Sequence, residues 1–302
     1  RKVLLYSILQ MFRIAVASGK GGTGKTFVAT NIFQALVKNR LDAVLVDCDA
    51  EAPNAAAFFK KKLTGTIAVT QQVPVIDESK CVYCGKCHEY CNYNAIFILP
   101  PIKIIKVIDD LCHGCGACSV ACAYGAITEK PDPLGIVNVF SENGRPLIVE
   151  ARMNIGVMSA VPVIKAAIRN IDPDTGIAIL DSPPGTSCPF IQTVATADFV
   201  ILVTEPTPFG LSDLRQSVDT LKEIGKPCGV IINRAGLGNN GVREYIDKQG
   251  IPLLMEIPFS RRIAEIYSEG KILADMDPAF ARNLVSLVQN IISEHGNSNN
   301  KR

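Results

Sequence analysis

Short apolar runs alternate with amphipathic stretches along most of the chain. Residues 13–18 and 43–46 are dominated by apolar side chains, as strands are when both of their faces are buried. Between them, residues 25–38 repeat apolar side chains with the period of a helix. A glycine-rich loop joins the first strand to that helix. Strand, glycine loop, helix and strand in this order predict the start of a doubly wound, mostly parallel α/β sheet.

The same rhythm returns in the second half of the chain. The predicted strands cover residues 176–180, 199–203 and 229–232, and the predicted helices cover residues 211–224, 263–269 and 278–292. We assign residues 11–73 and 150–293 to one discontinuous α/β domain. Residues 1–10 are then an N-terminal extension, with Met11 as the expected start, and residues 294–302 are a polar, disordered tail.

Residues 74–149 interrupt this rhythm and contain an internal repeat. Cys91–Ile96 reads C-N-Y-N-A-I, which matches the C-A-Y-G-A-I of Cys122–Ile127 at four of six positions. Such a duplication predicts a small α+β domain with pseudo-twofold symmetry, inserted into the larger one. Further strands are predicted at residues 102–107, 136–140 and 146–150, the last two joined by an Asn-Gly turn.

Composition fits a globular chain with a substantial core. Hydrophobic residues make up 48% of the 302 residues, charged residues 20%, and the net charge is +2. A charge this small gives no reason to expect nucleic acid as a partner. We also expect no membrane segment, since no apolar run reaches the roughly 18 residues that a spanning helix needs. Eight of the 11 cysteines lie in two tight runs whose spacing suits ligands, not disulfides, which favours a reducing, cytoplasmic location.

Each cysteine run has the spacing C-x2-C-x2-C-x3-C. The first consists of Cys81, Cys84, Cys87 and Cys91, and the second of Cys112, Cys115, Cys118 and Cys122. Runs of this kind hold the two [4Fe–4S] clusters of bacterial-type ferredoxins, in which the fourth cysteine of each run binds the other cluster. We therefore expect cluster 1 on Cys81, Cys84, Cys87 and Cys122, and cluster 2 on Cys112, Cys115, Cys118 and Cys91.

Zinc is the alternative for these thiolates. Structural zinc sites usually combine two separated C-x2-C pairs, so a duplicated C-x2-C-x2-C suits cubane clusters better. Both runs depart from the ferredoxin pattern at one position. Proline usually follows the last cysteine of such a run, but Asn92 follows the first run here and Ala123 the second. This affects the expected shielding and potential of the clusters more than their binding.

The glycine-rich loop has the sequence of a phosphate-binding P-loop. It comprises Gly19, Lys20, Gly21, Gly22, Thr23, Gly24, Lys25 and Thr26. Backbone N–H groups and the positive end of the following helix would hold phosphates, with Lys25 on the β- and γ-phosphates and the Thr26 hydroxyl on Mg²⁺. Asn233, after a later strand, is expected to pair with a purine edge. A guanine-binding N-K-x-D motif would have aspartate three residues after the asparagine, where this chain has Gly236, so ATP is favoured over GTP.

Three segments resemble one class of ATPase. Lys20–Thr26 (K-G-G-T-G-K-T) resembles the deviant P-loop of the MinD/ParA/nitrogenase iron-protein class. Asp47–Asn54 (D-C-D-A-E-A-P-N) resembles its switch I, and Asp181–Pro189 (D-S-P-P-G-T-S-C-P) resembles its Walker B strand end and switch II. With the two cysteine runs, the chain from Met11 to about Ile292 resembles members of this superfamily that contain an inserted two-[4Fe–4S] ferredoxin domain.

The resemblance implies a Mg²⁺-dependent ATPase that forms a homodimer with ATP at the interface. Lys20 would reach the partner's nucleotide and add positive charge where the transition state is negative. Asp49 would orient the attacking water with support from Asp47. The implied catalytic residues are therefore Lys20, Lys25, Asp49 and Asp47. Asp181 would hold Mg²⁺ through water, and Gly185 would sense the γ-phosphate.

Three functions fit these parts. In the leading hypothesis, ATP closes the dimer and gates electron transfer from the clusters to a redox partner. The second is assembly or delivery of iron–sulfur clusters to an acceptor protein. The third is a MinD- or ParA-like positioning ATPase, which would leave the insert without a role.

Cys188 has a spacing from Asp181 similar to that of a cluster ligand in nitrogenase iron proteins, but the second ligand is missing, so we expect a small buried thiol there.

Overall fold

A computed structural model describes residues 11–296. Its strands are β1 (Phe12–Ala17), β2 (Ala43–Asp47), β3 (Lys62–Ile76), β4 (Ile96–Leu99), β5 (Ile104–Val107), β6 (Ile127–Glu142), β7 (Arg145–Met153), β8 (Ile177–Asp181), β9 (Phe199–Thr204), β10 (Cys228–Ala235) and β11 (Leu253–Pro258). Its helices are α1 (Lys25–Lys38), α2 (Lys86–Glu89), α3 (Ala117–Ala121), α4 (Val161–Arg169), α5 (Cys188–Ala195), α6 (Pro208–Glu223), α7 (Gly241–Gln249), α8 (Arg261–Ser268), α9 (Leu273–Met276) and α10 (Pro278–His295).

Nine of these strands form one sheet, in the order β11-β10-β9-β1-β8-β2-β7-β6-β3. The strands from β11 to β7 all run parallel to their neighbours, and β6 and β3 are added antiparallel at one edge. The predicted α/β sheet, mostly parallel, is therefore confirmed. Each apolar run that predicted a strand of this sheet coincides with an observed strand, because such runs are buried on both faces.

Helices cover both faces of the sheet. On one face, Ile32 of α1 and Val288 of α10 share a buried cluster with Ile14 of β1. On the other face, Phe190 of α5 belongs to a second cluster with Ala15, the next residue along β1. Successive residues of one strand thus enter opposite cores, as the alternation of side chains along a strand requires. Each large apolar side chain buried in this way stabilises the fold by roughly 1.5–3 kcal/mol.

The antiparallel pair of β3 and β6 carries the chain from the sheet to the cysteine region and back. The two strands pair from Lys62 with Ser141 to Ile76 with Ile127. The sequence predicted only residues 136–140 of this ladder and no strand at 62–76. Most side chains of β3 are exposed, so the strand lacks the apolar pattern that marks a buried one.

The cysteine region consists of two halves related by a shift of 31 residues. The pair Ile127 and Ile76 at the end of the long ladder corresponds to the pair Ile96 and Val107 of the separate β4–β5 sheet. The backbone hydrogen bonds next to the ends of these two strand pairs repeat with the same shift, Asp77 N–H to Ala126 O at 2.7 Å and Ile108 N–H to Ala95 O at 2.8 Å. The internal repeat of the sequence thus has a structural counterpart.

The proposed domain division and the chain ends remain predictions. Strands β3 and β6 belong to the main sheet at one end and to the cysteine region at the other, so the border near residue 74 is not marked by a break. Residues 1–10 and 297–302 lie outside the described range, whereas residues 294 and 295, which we assigned to the disordered tail, are the last two of α10. Of the helices that the structure describes, none combines the length and the apolar character needed to cross a bilayer.

Candidate functional site

The glycine-rich loop lies at the carboxyl end of β1, where the chain enters α1. Gly24 precedes this helix with φ 98° and ψ 27°, a left-handed conformation that favours glycine. A Cβ at this position would also collide with the side-chain amide of Asn233 in β10. Gly19 is packed just as closely against the backbone of Asp213 in α6. The loop is therefore held from two sides, by the end of β10 and by α6.

The carboxylate of Asp181, at the end of β8, is buried without a partner. It is 1% exposed, and neither oxygen accepts a hydrogen bond within the described chain. Burial raises its pKa to about 7, an effect that the nearby Thr26 hydroxyl and Lys25 ammonium oppose. The buried Thr23 hydroxyl also lacks a partner. Because unpartnered buried oxygens are costly, this set of donors fits Mg²⁺ and phosphate, with Thr26 and Asp181 on the ion.

Lys25 lies between the carboxylates of the site. It is 7% exposed, lines the same cleft as Asp49, and its ammonium donates a hydrogen bond to the carbonyl of Lys20 at 3.3 Å. Burial lowers the pKa of Lys25, whereas the charges of Asp181 and Asp49 raise it. An ammonium in this position can neutralise phosphate oxygens in the cleft.

The two aspartates of the segment that resembles switch I have different surroundings. The Asp47 carboxylate is 1% exposed and accepts hydrogen bonds from the N–H groups of Asp49 (3.1 Å), Asn54 (2.9 Å) and Ala55 (2.8 Å). Burial and the neighbouring Asp181 raise the pKa of Asp47 well above its usual range. Asp49 lines the cleft, and burial raises its pKa against the charge of the P-loop lysine. Asp47 therefore shapes the segment, and Asp49 faces the space where a nucleotide would bind.

Lys20 and Gly185 are engaged within the chain. The Lys20 ammonium is 2.9 Å from a carboxylate oxygen of Glu205 and 3.7 Å from one of Asp213. Lys20 thus lies on the α6 side of the loop and does not line the cleft. Gly185, at φ 91°, donates its N–H to the carbonyl of Ser18 at 3.2 Å. The expected roles, contact with a partner's nucleotide and sensing of the γ-phosphate, require these contacts to break.

The cleft beside the loop has a volume of about 440 Å³. The glycines of the P-loop form one wall, and Pro258, Phe259, Ile263 and Tyr267 form another. The sequence did not single out these four residues, although their place directly after the last parallel strand was a usable signal. An apolar wall opposite a phosphate-binding loop suits the flat face of a purine.

Asn233 is already satisfied within the chain. Its side-chain amide donates to the carbonyl of Thr23 at 2.8 Å, and its side-chain oxygen accepts the N–H of Arg234 at 2.9 Å. Asn233 lines the cleft, as expected, but pairing with a purine would require these hydrogen bonds to be exchanged. In the structure as described, Asn233 holds the P-loop.

The structure brings the eight motif cysteines together in two sets. One cavity is lined by Cys81, Cys84, Cys87 and Cys122, and another by Cys91, Cys112, Cys115 and Cys118. These are the two crossed sets expected from the spacing. In residues 11–296, no group of three or more His, Cys, Asp or Glu side chains is arranged to hold a single metal ion. The thiols instead surround two separate spaces.

The backbone around the thiols repeats with the 31-residue shift. Four backbone N–H groups donate to cysteine sulfurs at 3.3–3.4 Å: Tyr83 to Cys81, Ala95 to Cys91, Gly114 to Cys112, and Ala126 to Cys122. Left-handed residues recur in matching pairs, Tyr83 with Gly114, Gly85 with Gly116, and Asn94 with Gly125. Donors that converge on sulfur stabilise the thiolate form, which is the form that binds metal.

Cys188 is exposed, so the expectation of a buried thiol was wrong. It occupies the first turn of α5, near the end of the segment that resembles switch II. The amino end of this helix lies at the edge of the sheet where the strands end, and side chains there reach solvent before the helix packs onto the sheet.

Comparison with known proteins agrees with this geometry. Residues 14–273 match the CobQ/CobB/MinD/ParA nucleotide binding domain family, CbiA. An uncharacterized protein of Methanocaldococcus jannaschii is 30% identical over 268 residues, which cover 87% of this chain and 91% of that protein. An iron–sulfur cluster carrier protein of Pyrococcus horikoshii is 22% identical over 304 residues, which cover 94% and 86%.

A solved structure shows the same fold. The septum site-determining protein MinD of Pyrococcus horikoshii, complexed with Mg-ADP, superposes with a TM-score of 0.57 at 19% identity, covering 93% of this chain and 96% of that one. The family match itself spans most of the chain and includes the P-loop, Asp47, Asp49 and Asp181. The chain therefore belongs to the CobQ/CobB/MinD/ParA nucleotide-binding family and is a P-loop, ATP-binding protein of the MinD/ParA type.

Proposed function

We propose that this protein is a dimeric, Mg²⁺-dependent ATPase that couples its nucleotide state to electron transfer through two [4Fe–4S] clusters. The crossed arrangement of eight thiols, three from one run and one from the other in each cavity, carries the proposal. A single zinc ion draws its ligands to one centre, whereas a cubane spreads four thiolates over its four corners. In residues 11–296 no three of these thiols converge on one centre, which favours cubanes.

The two sets would hold one cluster each, and a bound cluster supplies a one-electron redox centre. Cys81, Cys84, Cys87 and Cys122 would hold cluster 1, and Cys112, Cys115, Cys118 and Cys91 would hold cluster 2. The four N–H groups that donate to sulfur would offset thiolate charge, which is one of the factors that set a cluster's potential. The matched backbone of the two halves supports two similar sites.

Residues of the nucleotide site would divide the work of hydrolysis. Lys25 would neutralise phosphate charge, and Thr26 with Asp181 would hold Mg²⁺. Asp49 would orient the attacking water, while Asp47 keeps the segment in shape through its three backbone hydrogen bonds. This assignment is supported by the unpartnered Asp181 carboxylate and by the position of Asp49 in the cleft.

Dimerisation would release Lys20. In the single chain this lysine is neutralised by Glu205 and Asp213, which removes its charge from the nucleotide. Contact with the nucleotide of a second subunit would replace these two carboxylates by phosphate oxygens. Because both arrangements satisfy the ammonium, the exchange has a modest electrostatic cost and can follow the nucleotide state.

Anaerobic purification followed by iron and sulfide analysis tests the proposal. We expect about eight iron and eight sulfide per chain, and electron paramagnetic resonance signals of two reduced clusters whose shape or interaction changes on addition of MgATP. Cys84→Ser and Cys115→Ser should each remove a cluster, whereas Cys228→Ser, at a cysteine outside both sets, should remove none. A colourless protein, or zinc in place of iron, would show the proposal to be wrong.

Cluster delivery is the second candidate function. It is favoured by the similarity, over most of the chain, to proteins named as iron–sulfur cluster carriers. A carrier must release its cluster, so incubation with an apo-acceptor should move iron to the acceptor and bleach this protein. Electron transfer predicts that both clusters stay bound while the acceptor is reduced.

A further inference from the structure

A third cavity, of about 700 Å³, opens between the cysteine region and the α/β sheet. Asp109, Asp110, Cys112 and His113 line one side, and Cys112 belongs to the second thiol set. The loop of residues 154–159 after β7 and the first residues of α4 line the other side, and Cys188 of α5 completes the wall. The cavity is larger than the nucleotide cleft, and neither the nucleotide site nor the thiol sites account for it.

The loop on one wall displays apolar side chains on a backbone that is held in place. Ile155 is fully exposed and Met158 is 74% exposed. The N–H of Asn154 donates to the carbonyl of Leu134 at 2.9 Å, and the Asn154 side chain donates to the carbonyl of Pro133 at 3.1 Å. Large apolar side chains displayed in a fixed position are typical of a contact surface.

The rim of the cavity is acidic. Asp109, Asp110 and Asp132 line it, and Lys165 is the one lysine or arginine among its lining residues. The whole chain has a net charge of +2, so this negative charge is local to the cavity. Carboxylates together with exposed apolar side chains are complementary to an apolar protrusion surrounded by lysine and arginine.

The second thiol set, and not the first, faces this cavity. Cys112 lines both the cavity and the second thiol site, whereas no cysteine of the first set is among the lining residues. Gln71 of β3 donates to the carbonyl of Cys112 at 3.1 Å, which ties this wall to the main sheet. The next residue, His113, stacks on Tyr93 with ring centroids 3.8 Å apart. A molecule bound in the cavity would touch the protein shell of cluster 2.

Both segments that would sense the nucleotide continue into the cavity wall. Ala50, in the segment that resembles switch I, accepts the N–H of Met153 at 2.9 Å, and the exposed loop begins at the next residue. Gly185, which is hydrogen-bonded to Ser18, precedes Cys188 by three residues. A shift of either segment on ATP binding would change the shape of the wall.

We propose that this cavity is the docking site of the electron-transfer partner, and that the partner is a protein with an apolar protrusion surrounded by lysine and arginine. The inference rests on the proposed function and adds the exit cluster and the chemistry of the partner. The residues of the second thiol set would hold cluster 2, and the cluster would supply one electron, going from [4Fe–4S]⁺ to [4Fe–4S]²⁺, to the partner's acceptor. No bond is broken and no proton moves. ATP changes the docking affinity through the two segments in the wall.

Cytochrome c is a suitable probe, because lysines surround its exposed haem edge. The reduced protein, freed of reductant, is mixed with ferric cytochrome c at low ionic strength, and haem reduction is followed by stopped flow. Asp109→Lys/Asp110→Lys should lower the second-order rate constant about tenfold or more, the scale of electrostatic steering. Glu223→Lys/Glu244→Lys makes the same change in charge outside the cavity and should lower the constant by less than about twofold.

Cys188 allows docking to be measured without electron transfer. In the oxidised, cluster-loaded protein it is the exposed thiol that belongs to neither cluster set. Cytochrome c should slow its alkylation by maleimide several-fold, and MgATP should change that protection. Ile155→Ser/Met158→Ser should abolish the protection, whereas Leu99→Ser/Ile102→Ser, at exposed apolar residues of the β4–β5 hairpin, should retain it.

Three results would overturn the inference. The first is an equal loss of rate in the two charge-reversal variants. The second is unprotected Cys188, or protection that only the hairpin variant abolishes. The third is protection that rises with the protein's own concentration and needs no cytochrome c, which would identify a second copy of this chain as the occupant. Failure of the proposed function is distinguishable, because clusters would then be absent or unable to reduce a neutral quinone dye, which needs no docking site.

Discussion

Asp47 and Asp181 are close enough for their charges to interact, and both are almost completely removed from water. Asp47 offsets its burial with three backbone hydrogen bonds, whereas the Asp181 oxygens have none. The carboxylate that shapes the loop is therefore satisfied, and the one expected to hold Mg²⁺ is not. At the scale of single residues, the site is arranged for a ligand with positive charge.

This arrangement predicts how the stability of the metal-free protein depends on pH. The pKa of Asp181 is about 7 in the folded chain and about 3.9 in an unfolded one, so the folded protein keeps a proton that the unfolded chain has lost. The contribution of Asp181 to the free energy of unfolding is greatest at pH values below its pKa in the unfolded chain. It declines as the pH rises and levels off once the pH passes the pKa of Asp181 in the folded chain. Between about pH 5.5 and 8, Asp181 should lower the free energy of unfolding by about 2 kcal/mol.

Urea unfolding at several pH values measures this contribution. Asp181→Asn removes the titrating group, so its free energy of unfolding should decline by about 2 kcal/mol less than that of the wild type over this pH range. Added Mg²⁺ with nucleotide should stabilise the wild type at high pH. Asp174→Asn, at an exposed carboxylate seven residues before Asp181, is the control. Identical pH profiles for wild type and Asp181→Asn would contradict the assignment.

The two lysines of the P-loop should have separable effects. Lys25 lines the cleft, so Lys25→Ala should weaken binding of a fluorescent ATP analogue strongly. Lys20 does not line it, so Lys20→Ala should leave binding by the single chain nearly unchanged while lowering hydrolysis by about a thousandfold, the scale of a charge supplied in trans. Loss of nucleotide binding in both variants to the same degree would show that Lys20 acts within its own chain.

The elements of the molecule differ in how much the sequence revealed about them. The central strands and the long helices coincide with the predictions because their apolar patterns report burial on one face or two. Strand β3 was missed because it is largely exposed, and the apolar wall of Phe259 and Tyr267 was missed because nothing in the chemistry of those residues distinguishes a binding wall from a core. The crossed thiol sets were predicted from the pattern of two-cluster ferredoxins, in which the fourth cysteine of each run binds the other cluster.

Two glycines in the second half of the cysteine region give a prediction for these elements. Gly114 and Gly125 both have left-handed φ angles, 63° and 61°. A Cβ on Gly114 would lie 3.0 Å from the carbonyl of Gln72 in β3, whereas a Cβ on Gly125 would meet nothing within 4 Å. Gly125→Ala should therefore cost about 1 kcal/mol of backbone strain. Gly114→Ala adds a displacement of the Cys112 loop and should release cluster 2.

Iron analysis separates the two variants. We expect Gly114→Ala to retain about four iron per chain and Gly125→Ala about eight, as in the wild type. Full iron in Gly114→Ala would show that the loop of Cys112 does not depend on its close contact with β3. Equal loss of iron in both variants would mean that backbone strain at a left-handed residue, and not the contact with β3, controls whether the cluster is retained.

On the scale of the whole molecule, the nucleotide loop, the wall of the third cavity and the second thiol set follow one another across the sheet. Ser18, directly before the P-loop, is hydrogen-bonded to Gly185, and the segment of Gly185 leads into α5. The loop of Cys112 lines the cavity beside α5. The cysteine region is joined to the sheet by paired strands, so it cannot turn freely. We base the proposed coupling of ATP to the clusters on this continuity.

The rate at which reduced clusters pass electrons to an acceptor, measured with MgATP, with MgADP and without nucleotide, tests this account most directly. Oxidation of the clusters by cytochrome c can be followed by their visible absorption in a stopped-flow instrument. We predict a rate that differs several-fold between MgATP and the other two conditions in the wild type, and no such difference in Lys25→Ala with its full complement of iron. Equal rates in all three conditions, for a protein that binds ATP and holds both clusters, would contradict the coupling of nucleotide state to electron transfer.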